Sequence, residues 1–198
     1  MRKLPPFGPG QRIGLFGGSF NPAHRGHYMV ALYALKKLKL DWVWWLVSPQ
    51  NPLKDPAIVD EYGKRLAYTR RIAKHPRFKV TDIEQQLGTR YTEETLEKVK
   101  ALSGNARFVW IMGADSLASL HRWHHWLDIV DMVPFAVLAR PGYNMRALRS
   151  LAATRLAPNR VSCPAAVLKN QTPSWTFVTM PLRSESSTAI RKRRAPKT

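Results

Sequence analysis

The residues best placed to do chemistry stand together near the start of the chain: Gly17-Gly18-Ser19-Phe20-Asn21-Pro22-Ala23-His24-Arg25-Gly26-His27. His24 and His27 are three residues apart, so on a helix they share one face of its first turn. A helix start offers unpaired N–H groups and the positive end of the peptide dipole, which suits phosphate. Two imidazoles there can donate hydrogen bonds to phosphate oxygens. The glycines permit a sharp turn and close approach of a ligand to the backbone. Pro22 suits the first turn of a helix, where its missing N–H costs nothing. Two plainer readings stand beside this one: a tight turn with two surface histidines, or a histidine pair sharing a metal ion. The order strand, Gly-Gly, Pro, His-x-Gly-His favours the phosphate site.

Such a motif needs elements to position it, and the chain alternates them. Ile13–Phe16 reads as a short buried strand ended by Gly17-Gly18, and Pro22 opens a helix to about Lys39. Val43–Val47 is a second strand. Asp60 is a plausible cap for a helix from Glu61 to Lys74, stopped by Pro76. Phe78–Ile83 reads as a strand, Thr92 as the cap of a helix through Ala101, and Phe108–Met112 as a strand closed by Gly113. A broken helical stretch covers 114–131. The strand Phe135–Ala139, a helix from Met145 to Arg155, the strand Trp175–Met180 and a helix from Ser187 to Arg194 complete the series. Strands alternating with helices predict an α/β fold: a doubly wound, Rossmann-like parallel sheet with helices on both faces. Ligands in such sheets bind outside the carboxyl ends of the strands, where strand order reverses. Gly17-Gly18 and Gly113 are therefore the places to search.

Composition bounds the rest. A chain of 198 residues predicts a single domain over 1–198, with residues 1–12 and 192–198 expected as flexible tails. The lone cysteine, Cys163, cannot form an internal disulfide, which fits a reducing compartment. No apolar segment follows the two early charges, and none approaches the ~18 residues of a membrane helix. A cytoplasmic protein without a membrane partner is expected. Lys and Arg outnumber Asp and Glu 32 to 13, a formal charge of +19. That field attracts anions, whether nucleotides, nucleic acid or acidic lipid. No nucleic-acid module accompanies it, so nucleic acid is not expected as the main partner. His121, His124 and His125 have no Cys or carboxylate at ligand spacing, so no metal centre is expected.

The segment from Gly17 to His27 resembles the HxGH nucleotidyltransferases, which transfer a nucleotidyl group from ATP or CTP onto a phosphate. Further segments are similar to the bacterial nicotinate-mononucleotide adenylyltransferases: Pro52-Leu53-Lys54, Tyr91-Thr92-Glu93-Glu94-Thr95-Leu96, Gly113-Ala114-Asp115-Ser116-Leu117 with Trp123, Arg140-Pro141-Gly142-Tyr143, and Ser186-Ser187-Thr188-Ala189-Ile190-Arg191. The resemblance spans about residues 13–191. It departs from the family at Asn21 and Glu94, each in place of an Asp, and at Leu53, in place of a His.

The resemblance implies transfer of AMP from ATP, with Mg²⁺, to nicotinate mononucleotide, giving deamido-NAD and pyrophosphate. It implies that His24, His27, Lys54 and Arg191 act on the phosphates. Gly17, Gly18, Ser19, Phe20, Gly113, Asp115, Ser187 and Thr188 are implied at ATP, Asp115 through a ribose. Lys54, Thr92, Trp123 and His124 are implied at the mononucleotide, with Trp123 offering a flat face to the pyridine ring. Arg140-Pro141-Gly142 reads as a structural turn. Phosphopantetheine or nicotinamide mononucleotide as acceptor, and a nucleic-acid-binding protein using the basic surface, are the rival readings.

Overall fold

A computed structural model describes residues 4–49, 59–181 and 185–194. Its strands are β1 (Arg12–Gly18), β2 (Trp42–Val47), β3 (Phe78–Thr81), β4 (Arg107–Gly113), β5 (Phe135–Leu138) and β6 (Trp175–Val178). Its helices are α1 (Arg25–Lys37), α2 (Tyr62–Ile72), α3 (Ile83–Leu87), α4 (Thr92–Ser103), α5 (Ala114–Leu117), α6 (Trp126–Met132), α7 (Asn144–Leu148), α8 (Leu151–Arg155) and α9 (Ser187–Arg194). The strands form one parallel sheet in the order β3-β2-β1-β4-β5-β6. Connections run outward to one side from β1 and to the other from β4. The switch point lies between these two strands, and a ligand cleft belongs at their carboxyl ends. The doubly wound α/β sheet expected from the alternation is the observed fold.

Both faces of the sheet are buried, which explains the near-continuous apolar strands. Side chains alternate between them. Ile13, Leu15, Trp44, Leu46, Phe108, Trp110 and Met112 point to one core, shared with Leu96 and Val99 of α4 and Ile129 and Val130 of α6. Phe16, Val43, Trp45, Val47, Val109 and Ile111 point to the other, against Val30, Ala31, Ala34 and Leu35 of α1. Residues 4–11, expected as part of a tail, join the first core: Leu4 and Phe7 pack on it, Phe7 edge-on to Trp44 at 5.9 Å. Of the expected C-terminal tail, 192–194 continue α9, and 195–198 lie outside the described residues.

Several boundaries differ from the sequence reading for local reasons. Gly17 and Gly18 are the last residues of β1, and the backbone turns afterwards at Phe20, whose φ is +44°. Gly17 is small for packing instead: a Cβ there would stand 2.4 Å from the Trp110 indole. Pro22 precedes helix α1, which starts at Arg25 with His24 as its cap. Glu61, not Asp60, precedes α2, and Tyr91, not Thr92, caps α4. Ile83 leaves the strand for α3. The helix expected over 145–155 divides in two, because the Ser150 hydroxyl accepts the Ala153 N–H and starts α8 afresh.

Candidate active site

A cleft of about 1100 Å³ opens at the carboxyl ends of β1 and β4. Its phosphate-binding potential begins with the cap of α1. His24 is in extended conformation, and its Nδ1 accepts the Gly26 N–H at 3.1 Å. The N–H of His24 donates in turn to Nδ1 of His27 at 3.2 Å. A backbone N–H can only donate, so both Nδ1 atoms carry lone pairs, and in the neutral rings both protons sit on Nε2. The two rings lie 3.9 Å apart. Gly26 is required by this packing, since a Cβ would meet the His24 ring at 2.8 Å. Phe20 and Phe16 brace His27, with centroids at 5.1 and 6.2 Å.

His24 is only 4% exposed, and its Nε2 has no hydrogen-bond partner among the described residues. Its pKa is pushed down to about 4, chiefly by burial and next by the Arg140 guanidinium, with Asp115 opposing. The ring is therefore a neutral N–H donor at pH 7.

Arg140 holds Asp115: Nη1 and Oδ2 are 3.0 Å apart. Asp115 Oδ1 is buried and has no hydrogen-bond partner among the described residues. Gly113 precedes it at the end of β4 as the cap of α5. The Pro-Gly turn after β5 thus does more than end a strand, because it delivers a cation to the cleft beside His24.

The start of α9 closes the site from the far end of the chain. Ser187 Oγ donates to the Pro22 carbonyl at 3.0 Å. Arg191 donates through Nη1 to the Asn21 carbonyl at 2.5 Å and through Nη2 to Thr188 Oγ1 at 3.4 Å. The Asn21 amide has a structural part in the same contact: its Oδ1 accepts the Asp60 N–H at 3.2 Å. Gly17, Gly18, Ser19, Phe20 and His27 line one wall of the cleft, and Ser187, Thr188 and Arg191 line another. Lys54, with Pro52 and Leu53, lies outside the described residues.

Thr92, Trp123 and His124 also line the cleft. Trp123 meets Trp110 edge to face, 6.4 Å between centroids. Helix α4 is fixed there by Glu94, whose Oε2 accepts the Arg90 and Tyr91 N–H groups at 2.9 and 3.3 Å. This reach-back is the second half of a capping box, and it accounts for a glutamate at 94. The Arg90 N–H is also the main reason that the Glu94 pKa is lowered. His124 stacks on Tyr91, 4.2 Å away, and contacts Glu93 Oε1 through Nδ1.

Two groups that the sequence reading missed anchor the floor. Arg65 is 2% exposed. It donates to the carbonyls of Ser19, Ser48, Pro49 and Asp60 at 2.6–2.9 Å. It thereby ties the turn after β1 to the end of β2. Glu84 lies beside it and lines the cleft, its pKa raised to about 7 by burial against the opposing Ser48 hydrogen bond and Arg65 charge. Nothing local marks either residue, since their partners lie 5 to 46 positions away.

A switch-point cleft lined by imidazoles, arginines and hydroxyls at a helix start has the donor chemistry that a polyphosphate requires. Residues 15–193 match the cytidylyltransferase-like family, and the chain belongs to that family of nucleotidyltransferases. It is 50% identical over 187 residues to the probable nicotinate-nucleotide adenylyltransferase of Ruegeria pomeroyi, covering 92% of this chain and 86% of that one. It is 51% identical to the protein of the same description from Cereibacter sphaeroides, covering 90% and 96%. Among solved structures, the nicotinic acid mononucleotide adenylyltransferase of Plasmodium falciparum complexed with NaAD superposes with a TM-score of 0.69. It does so at 19% identity, over 92% of this chain and 83% of that one, and so shares its fold.

Proposed function

We propose that this enzyme transfers the adenylyl group of ATP to nicotinate mononucleotide, giving deamido-NAD and pyrophosphate in NAD biosynthesis. Relatives near 50% identity carry that activity in their names. The observation that carries the chemistry is the pair of imidazoles whose Nδ1 atoms accept backbone N–H groups at one helix start, with the buried His24 Nε2 directed to a ligand.

The acceptor's 5′-phosphate oxygen attacks the α-phosphorus of ATP. A new P–O bond forms, the bond to the β-phosphate's bridging oxygen breaks, and pyrophosphate departs with the electron pair. A phosphate oxygen is already nucleophilic at neutral pH, so no base is needed. The obstacle is bringing two polyanions together, and catalysis is positioning plus charge stabilisation. His24 and His27 donate to the triphosphate oxygens. Arg191, Lys54 and Arg140 supply fixed charge. Gly17, Gly18, Ser19 and Phe20 shape the wall along the nucleotide, and Ser187 and Thr188 offer hydroxyls to its phosphates. Asp115, following Gly113, accepts from the ribose through the oxygen that Arg140 leaves open.

ATP enters as its Mg²⁺ complex, with the ion held by phosphate oxygens and water. The nitrogen donors around the phosphate site suit this, because they address the phosphates rather than the ion. Trp123, Thr92 and His124 receive the mononucleotide. The +19 charge gathers both anions. No described helix is long and apolar enough to cross a membrane. We place the enzyme in the cytoplasm, where the exposed Cys163 thiol stays reduced.

The test is pyrophosphate release from MgATP with nicotinate mononucleotide, nicotinamide mononucleotide or phosphopantetheine, each alone. A strong preference for the first is expected. A preference for either other acceptor would overturn the substrate assignment and keep the phosphate chemistry.

A further inference from the structure

We propose that Glu93, His124 and His125 form a binding site for a divalent transition-metal ion of the zinc class at the rim of the cleft. The carboxylate nearest these histidines in sequence, Asp128, is exposed and sits beside His125. The fold brings another from the first turn of α4, 31 residues away. One ligand atom from each of the three side chains lies within 4.8 Å of the others. Consecutive residues on a regular helix or strand point apart, yet the rings of His124 and His125 stack at 3.9 Å and 23°. His125 has a φ of +44°, in the left-handed region, a conformation that costs free energy in a non-glycine residue.

Glu93 is the second, independent observation. It is 5% exposed, and its Oε2 has no hydrogen-bond partner among the described residues. Among the described residues its ion pair is to His124. A buried carboxylate with an unmet oxygen calls for a cation. Two imidazoles and a carboxylate are a zinc-type donor set that leaves one position open, and the nitrogens disfavour Mg²⁺ and Ca²⁺. The ion replaces the direct His124–Glu93 contact, and the His124 side chain, 44% exposed, has room to move outward. Asp128 Oδ2 stands 3.6 Å from His125 Nδ1 and adds negative charge beside the site. The nucleotide-facing His24 and His27 do not compete through Nδ1, because backbone N–H groups occupy both atoms. The site does not depend on the acceptor proposed above.

The experiment uses the whole chain, stripped with a chelator and free of ATP. Co²⁺ is followed by its visible absorption and Zn²⁺ by calorimetry. One Zn²⁺ per chain is expected, displacing Co²⁺ with loss of its spectrum. His125→Ala and Glu93→Gln should each weaken Zn²⁺ binding at least ~10-fold. Stripped His125→Ala should retain MgATP-dependent turnover, which establishes that it is folded. Binding equally tight in both variants, or a wild-type Kd weaker than ~100 µM, would overturn the proposal.

Discussion

His24 carries two separable duties, and substitution can divide them. Its Nδ1 caps α1 by accepting the Gly26 N–H, and its Nε2–H is the buried donor assigned to the triphosphate. Alanine removes both. Asparagine is among the best N-cap residues, so it restores the cap acceptor without reaching as far as Nε2. Loss of a cap costs about 1 kcal/mol, and loss of one transition-state donor costs about 100- to 1000-fold in kcat. His24→Asn should therefore be more stable than His24→Ala by about 1 kcal/mol, while both lose at least ~100-fold in turnover. The assays are initial rates of pyrophosphate release at saturating MgATP and nicotinate mononucleotide, and urea unfolding of each variant. The pH dependence adds an independent check. The folded pKa of about 4 lies below the ordinary 6.5, so between these values the unfolded chain takes a proton that the buried ring refuses. Wild type should lose stability relative to His24→Asn as pH falls from 6.5 toward 4, and the two should run parallel above 6.5. Turnover of His24→Asn within tenfold of wild type would refute the donor role, and equal stability of the two variants would refute the cap.

Arg65→Lys cannot reproduce a fork that serves four carbonyls; a loss of at least ~2 kcal/mol in urea unfolding is expected, and an unperturbed midpoint would dismiss the clasp. Glu84→Gln keeps the shape and removes the buried charge. Because the folded Glu84 pKa is raised to about 7, wild type should lose stability relative to Glu84→Gln as pH rises from 4.5 through 7, and a thermal melt showing the opposite slope would contradict the burial argument. Trp123→Ala should raise KM for the mononucleotide several-fold with little change in KM for ATP, and an unchanged mononucleotide KM would return Trp123 to packing against Trp110.

What the sequence makes legible here is what is local. The apolar runs at 13–16, 43–47 and 108–112 read as strands because both sheet faces are buried. The spacing of His24 and His27 is readable because one helical turn holds them. The reading fails where the partner is distant or the backbone unusual. Pro22 looks like a helix start, but the extended His24 takes the cap position. Arg140 looks like part of a turn, since its partner Asp115 lies 25 residues earlier. Arg65, Glu84 and Glu93 acquire meaning only when β1, β2, α3 and α4 converge. Asn21 could be noted as a departure, but its purpose depends on Asp60 and Arg191, from two other parts of the chain.

The bonds from Ser187 and Arg191 to Pro22 and Asn21 span 165 and 170 residues. The loop after β1 is therefore closed by a helix from a distant part of the chain. All six described strands end by Val178, so a chain cut before Ser187 keeps every described strand of the sheet. Such a chain would lack both bonds that close the loop after β1, so the sheet and the closure of its cleft are separable parts of the same molecule.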